Sequence, residues 1–227
     1  MTLKRLFIIA TITLVAMGCR ADSLSKQHSE LPRDFTLSAG EKVLFNNVEF
    51  EFERIKQDSR CPKGTQCIHQ GSASLVVNYT LDKTPIQKVM TIGENAEEAS
   101  LKIKKMTVQL GYLKPHPATN IKIDPASYKA HFIAFEGEKV TNAAVLDVRT
   151  QQEFDNGHYS NASHIPYDEL SGRESEFSFE KNDLIVVYCR SGNRAGKAKA
   201  TLQQMGYANV INGVDQTTVE RLLIKED

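Results

Sequence analysis

Two periodicities divide this chain. From Lys42 to about Phe135 apolar and polar residues alternate. Val48, Phe50 and Phe52 are interleaved with Glu49, Glu51 and Glu53, and Leu75, Val77, Tyr79 and Leu81 follow the same period less regularly. Shorter runs of the same kind occur at residues 101–105, 121–123 and 128–135. Successive side chains of a β-strand point to opposite faces. Period-two runs punctuated by Gly, Pro, Asn and Asp therefore predict half-buried antiparallel strands. Several in close succession predict an all-β sandwich or barrel over residues 37–136.

Around Gly137 the pattern changes. Residues 143–148 and 184–188 are compact apolar strands, and 209–212 is a shorter one. Between them, residues 150–156 read as a helix stopped by Gly157. Residues 194–205 place Ala195, Ala198, Leu202 and Met205 at helical spacing before Gly206. Residues 217–225 predict a closing helix with Val219, Leu222 and Leu223 inward. Apolar strands alternating with amphipathic helices predict a second domain, an α/β unit over residues 137–227 with a parallel sheet covered on both faces. Ligands of such sheets bind beyond the C-terminal strand ends. Cys189 stands directly after one of them.

The N-terminus carries an address. Lys4 and Arg5 precede an apolar run at residues 6–17, too short to span a bilayer stably, that ends in Val15-Ala16-Met17-Gly18-Cys19. This resembles the lipobox of bacterial lipoproteins, with Ala16 where that family usually has Leu. The resemblance implies a signal peptide over residues 1–18 and a lipidated Cys19. Because Arg20 rather than Asp follows, it also implies an outer-membrane anchor facing the periplasm as the sole membrane contact; ordinary secretion is the alternative. Residues 19–36 are polar and aperiodic and read as a flexible tether. The 28 basic residues balance the 28 acidic ones with no block of like charge, so no nucleic-acid footprint is expected.

Four cysteines are present. Cys61 and Cys67 flank the turn-forming insert Pro-Lys-Gly-Thr-Gln, and in an oxidising compartment a short-loop disulfide is the simplest pairing. Zinc is the competing reading, but no neighbouring Cys/His pair completes a tetrahedral set, His69 included. No metal or cofactor is therefore expected. Cys189 is left as the odd thiol. An apolar run delivers it into Arg190-Ser191-Gly192-Asn193-Arg194, and a helix follows at once. Backbone N–H groups, a positive helix end and two guanidinium groups favour a thiolate, open to solvent, at the mouth of the loop. The bland alternative is a buried strand-end thiol, which two adjacent arginines argue against.

These residues carry a family resemblance. Val145-Leu-Asp147-Val-Arg149, Glu153-Phe154, Gly157-His158, Ala162, Ile165-Pro166, Val187-Tyr-Cys189-Arg-Ser-Gly-Asn-Arg194 and Met205-Gly-Tyr-Ala-Asn-Val210 resemble a single-domain rhodanese across residues 139–224. The small size and periplasmic address are similar to the phage-shock type. The resemblance implies that Cys189 takes the sulfane sulfur of thiosulfate as a persulfide and yields it to cyanide or a thiol. It further implies that main-chain N–H groups of residues 190–194 hold the persulfide charge, and that Arg190 and Arg194 attract the donor. Cysteine-dependent phosphatases use Cys-x5-Arg, whereas Arg194 follows Cys189 with a Cys-x4-Arg spacing, the shorter loop that accompanies sulfur transfer. The departure is Gly213-Val214, where the family often has Gly-Gly.

Supporting roles are expected for Asp147, beneath the loop donors, and for Arg149, paired with Glu153 one helical turn away. His158 is read as a packing or hydrogen-bonding residue, and His116, His131 and His164 show no ligand spacing. Two rival functions stay open. One is a persulfide carrier or docking module whose β-domain selects a protein partner; the other is an oxyanion enzyme acting on arsenate or phosphate. Residues 58–73 resemble a segment of uncharacterised bacterial lipoprotein β-domains, which implies no activity.

Overall fold

The computed structural model describes residues 31–93 and 97–223. The signal segment, Cys19, most of the tether, and residues 224 and 225 of the expected closing helix lie outside the described residues. Eight strands build the first half: β1 (Arg33–Ser38), β2 (Glu41–Phe45), β3 (Val48–Asp58), β4 (Ala73–Leu81), β5 (Thr84–Ile92), β6 (Ser100–Ile103), β7 (Met106–Lys114) and β8 (Lys129–Glu136). They form two antiparallel four-stranded sheets, ordered β1-β8-β7-β6 and β2-β3-β4-β5. The two-residue turns Asn46-Asn47 and Asp82-Lys83 have positive φ throughout, the twist a tight hairpin needs.

The sheets face each other across one apolar core. Phe50, Phe52, Leu75 and Val77 from one sheet meet Val108, Leu110, Phe132 and Ala134 from the other. Phe35, Phe45, Phe50 and Phe132 form a ring cluster with centroids 5.1–6.1 Å apart. The arrangement is a sandwich.

Two expectations fail here. Residues 33–36, read as tether, are strand: Arg33 pairs with Ala134 and Phe35 with Phe132, because Phe35 is an apolar anchor within an otherwise polar segment. Residues 121–123 are not a strand. Ile121 is 65% exposed, and no partner strand is available to a run with only two apolar positions.

The second half comprises β9 (Ala143–Asp147), α1 (Gln151–Asp155), β10 (Ala162–His164), β11 (Leu184–Cys189), α2 (Asn193–Gln204), β12 (Val210–Asp215) and α3 (Gln216–Leu222). Its sheet has the order β10-β9-β11-β12, and every pair is parallel. Alternation along β11 sends Ile185, Val187 and Cys189 toward Ala195, Ala198 and Leu202 of α2. Val186 and Tyr188 go to the opposite face, against Val219 and Leu222 of α3.

Helix α3 does not cover that face alone. Ile133 and Phe135 of β8 belong to the same apolar cluster as Val145, Val186, Tyr188 and Ile211. Strand β8 therefore serves two cores, with Ala130, Phe132 and Ala134 turned into the sandwich and Ile133 and Phe135 turned into the α/β sheet. Phe135→Ala should cost about 3–5 kcal/mol, as for other large-to-small changes in a core. The described chain should unfold in one transition by far-ultraviolet circular dichroism and by tyrosine fluorescence. Two separated transitions would show that the shared strand does not couple the halves.

Candidate active site

Strand β11 ends at Cys189, and the bends at Arg190, Ser191 and Gly192 lead directly into α2. Gly192 occupies the N-cap position with φ +77°, and no side chain caps the helix. The first-turn N–H groups of α2 are thus left for an anion at the loop's centre. The left-handed conformation is one reason for glycine here. Another is space: a Cβ at Gly192 would lie 2.9 Å from the Tyr112 ring of β7. A residue of the sandwich packs directly on the loop.

Cys189 is the free cysteine among the described residues, and it is 2% exposed. The expectation of a solvent-open thiol is therefore corrected. The cause is register. Cys189 is still inside the sheet, opposite Asp215 of β12, and its side chain falls on the α2 face with Leu146, Val148 and Ile165.

The loop amides are not all available. The Gly192 N–H donates to the Val214 carbonyl at 3.1 Å. Asn212, buried within β12, donates from Nδ2 to the Gly192 carbonyl at 2.9 Å and accepts the Val214 N–H at 3.0 Å. Val214 has φ +67°, a strained geometry for a β-branched residue. It stands where the resembled family often has glycine, and Asn212 holds it there. Asn212 was missed in the sequence because a polar residue at a strand end reads as solvent-facing.

The arginines sort differently from expectation. Arg194 does not reach freely into the loop: Nη1 and Nη2 donate to Glu153 Oε2 and Oε1 at 2.5 and 2.7 Å. This two-pronged pair ties α1 to α2. Glu153, and secondarily the Cys189 sulfur, hold Arg194 firmly charged. Glu153 in turn is pulled down to about 2, chiefly by Arg194 and, against the opposing effect of burial, by Thr150, whose side chain completes a capping box at α1.

Arg149 does not pair with Glu153. Its Nε lies 2.9 Å from both oxygens of the fully buried Asp147, and its Nη2 lies 2.7 Å from the Gly157 carbonyl. Asp147 also accepts the Arg149 backbone N–H at 2.9 Å, so it braces this neighbour rather than the 190–194 loop. Burial first, and then the Asp147 hydrogen bond, push the Tyr188 hydroxyl up. That hydroxyl accepts the Tyr159 N–H at 3.1 Å. His158 stacks on Phe154 at 3.6 Å, a packing role. Arg190, Ser191 and Asn193 are exposed. The disulfide Cys61–Cys67 is formed, in the sandwich.

The sandwich also braces the site through a buried polar chain. Tyr112 stacks on His131 at 4.6 Å, and His131 Nε2 lies 3.0 Å from Asp34 Oδ2. Lys199 of α2 donates to Asp34 Oδ1 at 2.5 Å. Burial pushes the Asp34 carboxyl up, but the His131 hydrogen bond and the Lys199 charge outweigh it, leaving it below the usual carboxylate range.

Residues 134–213 match the family model described as a rhodanese-like domain. Thiosulfate sulfurtransferase PspE of Escherichia coli is 37% identical over 67 residues, covering 30% of this chain and 64% of that protein. Putative sulfur carrier protein YrkF of Bacillus subtilis is 37% identical over 70 residues, covering 31% of this chain and 37% of that protein. The chain thus spans less than two thirds of either relative. A solved rhodanese with anions from Escherichia coli is 31% identical, covers 37% of this chain and 99% of its own, and superposes with a TM-score of 0.33. The match begins within β8, the strand that the two cores share.

Glu153→Gln tests the clamp. A carboxyl pulled below its ordinary 4.5 stabilises the folded state above that pH and loses the effect as pH falls toward 2. Wild type should therefore exceed the variant by about 1 kcal/mol at neutral pH. The gap should close between about pH 4.5 and 2 in urea titrations. A gap independent of pH would exclude the ion pair as its source.

Proposed function

On the premise that residues 134–213 form a rhodanese-like domain, we propose that this protein is a sulfurtransferase acting through a Cys189 persulfide. The observation that carries the reading is the unpaired Cys189 at the end of a central parallel strand. It runs through a short loop into an uncapped helix whose first turn carries Arg194, clamped by Glu153. The Cys189 thiolate attacks the outer sulfur of thiosulfate. The sulfur–sulfur bond of the donor breaks, sulfite leaves with the electron pair, and Cys189 carries the anionic persulfide. First-turn N–H groups of α2 and the Arg194 charge stabilise the anion, while the Gly192 N–H is spent on the Val214 carbonyl. Exposed Arg190 and Ser191 meet the incoming donor.

The address completes the proposal. A lipidated Cys19 would anchor the chain at the outer membrane facing the periplasm, and the Cys61–Cys67 disulfide suits that oxidising compartment. Among the described residues no helix is long and apolar enough to cross a membrane.

The burial of Cys189 favours a second reading, a carrier that accepts sulfur but releases it only to a protein partner. Mass spectrometry after thiosulfate treatment, beside thiosulfate:cyanide turnover, separates the two. The enzyme reading expects one added sulfur and sustained thiocyanate production; the carrier reading expects the added sulfur alone. Both should vanish in Cys189→Ser, and activity retained in that variant would refute the assignment. Arg190→Ala should raise the KM for thiosulfate about three- to tenfold with kcat nearly unchanged. An unchanged KM removes Arg190 from donor binding.

A further inference from the structure

Helix α2 is held at two points by one chain of side chains from the sandwich. At its start, Gly192 lies against the Tyr112 ring, where an added Cβ would come within 2.9 Å of Cε1 and 3.0 Å of Cδ1. Lys199, about two helical turns further on, donates to Asp34 Oδ1. His131 joins the two points. Its Nε2 lies 3.0 Å from Asp34 Oδ2, and its ring is stacked on Tyr112 with planes 12° from parallel. The contacts form a closed circuit: they leave α2 at Lys199, pass through Asp34, His131 and Tyr112, and return to α2 at Gly192.

Strand geometry builds this circuit. His131 falls on the face of β8 that also carries Ile133 and Phe135, the face turned to the parallel sheet. Asp34 of β1 is paired with Ile133, which makes it the diagonal neighbour of His131 on that face. The register of β7 shifts between Leu110 and Tyr112, so Tyr112 rather than Gly111 is paired with His131. Gly111 is the residue that the shift leaves over, and a Cβ there would lie 2.6 Å from His131 Nδ1. Only glycine lets the imidazole come that close.

The circuit is also well closed to solvent. The side chains of His131 and Asp34 are 2% and 8% exposed, and that of Lys199 is 23% exposed. Stripping a buried carboxylate of its ammonium is strongly unfavourable, so the Lys199 end resists opening. Asp34, Tyr112 and His131 all lie outside the residues 134–213 that match the rhodanese-like model.

We propose that Tyr112 is a positioning residue for the Cys189 loop, fixed in turn by His131, Asp34 and Lys199, so that the sandwich completes the site of the α/β half. The inference rests on the sulfur-transfer reading and assigns part of its site to the other half of the chain. Tyr112 acts through Gly192. Its ring fixes the N-cap, and the N-cap sets where the first-turn N–H groups of α2 point. A misplacement of about 1 Å in such groups is enough to slow a reaction by a large factor.

Formation of the Cys189 persulfide from thiosulfate, followed by mass spectrometry on the full chain, gives a maximal rate and a half-saturating concentration. Tyr112→Ala should lower the maximal rate about tenfold with little change in half-saturation, and Tyr112→Phe, which keeps the ring, should recover most of that loss. Lys199→Met should also lower the rate. The double variant Tyr112→Ala/Lys199→Met should lose less than the product of the two single losses, since both break one circuit. In each single variant the Gly192 and Gly196 amides, bonded to the Val214 and Gly192 carbonyls, should exchange at least about fivefold faster. Leu75→Ala is the control, because it weakens the sandwich core on the sheet that does not carry Tyr112. It should leave the rate unchanged, and an equal loss there would reduce Tyr112 to a general structural role. An unchanged rate in Tyr112→Ala, or single losses that multiply, overturns the proposal and leaves sulfur transfer standing. If the wild type forms no persulfide, the sulfur-transfer reading falls; faster exchange in the variants then upholds the circuit, and unchanged exchange overturns it too.

Discussion

A strand that is apolar on both of its faces has to be covered twice, and β8 is such a strand. Lys129 and Glu136 bound six consecutive buried residues. Three of them, Ala130, Phe132 and Ala134, fill the sandwich, and Ile133 and Phe135 cover the parallel sheet. Burying a large apolar side chain contributes about 1.5–3 kcal/mol, so the second face of β8 alone represents a substantial share of a domain's net stability. Neither half closes its core without this strand. The covalent boundary near Gly137 is therefore not a packing boundary, and the sandwich is held in one orientation over the strand ends where the chemistry is sited.

That fixed orientation has consequences for the loop. Gly111 approaches so closely that a Cβ there would lie 2.9 Å from Val214 Cγ2, and Tyr112 meets Gly192 in the same way. Between these two contacts Asn212 ties the Gly192 carbonyl to the Val214 N–H. The strained backbone at Val214 persists because it is gripped from three sides. A register shift in β7 between Leu110 and Tyr112 places both sandwich residues where they touch. The shape of the loop thus depends on residues nearly eighty positions upstream.

Three of the four strands of the parallel sheet, its helices and the cysteine-bearing loop were legible because each is a local pattern, whereas the three-residue β10 was not read as a strand. A 2.0 or 3.6 period, a glycine stop or a Cys-x4-Arg spacing needs only neighbouring residues. The alternating strands were legible for the same reason, whereas β7 was not singled out. Its alternation of Met106, Val108 and Leu110 with Thr107 and Gln109 stops at Gly111, and both faces are buried along most of its length. Strand β1 was hidden within a polar segment because one phenylalanine decides its place. The ion pairs were assigned wrongly because sequence proximity favours Arg149 with Glu153. In the fold, Asp147 lies fully buried beside Arg149, which leaves Glu153 to Arg194, forty-one residues away. Pairings across the chain leave no local trace.

The same reasoning explains why a buried thiol remains compatible with sulfur chemistry. An exposed thiolate in an oxidising space invites disulfide formation, as Cys61 and Cys67 illustrate, and a buried one avoids it. The Arg194 guanidinium that Glu153 holds in place, and a helix end that no side chain caps, put positive charge at this end of the strand. In the proposed persulfide the reacting atom lies one bond beyond Sγ. Arg190 and Ser191 of the loop are exposed, whereas Gly192 is held by Val214 and Asn212 of β12 and by Tyr112 of the sandwich.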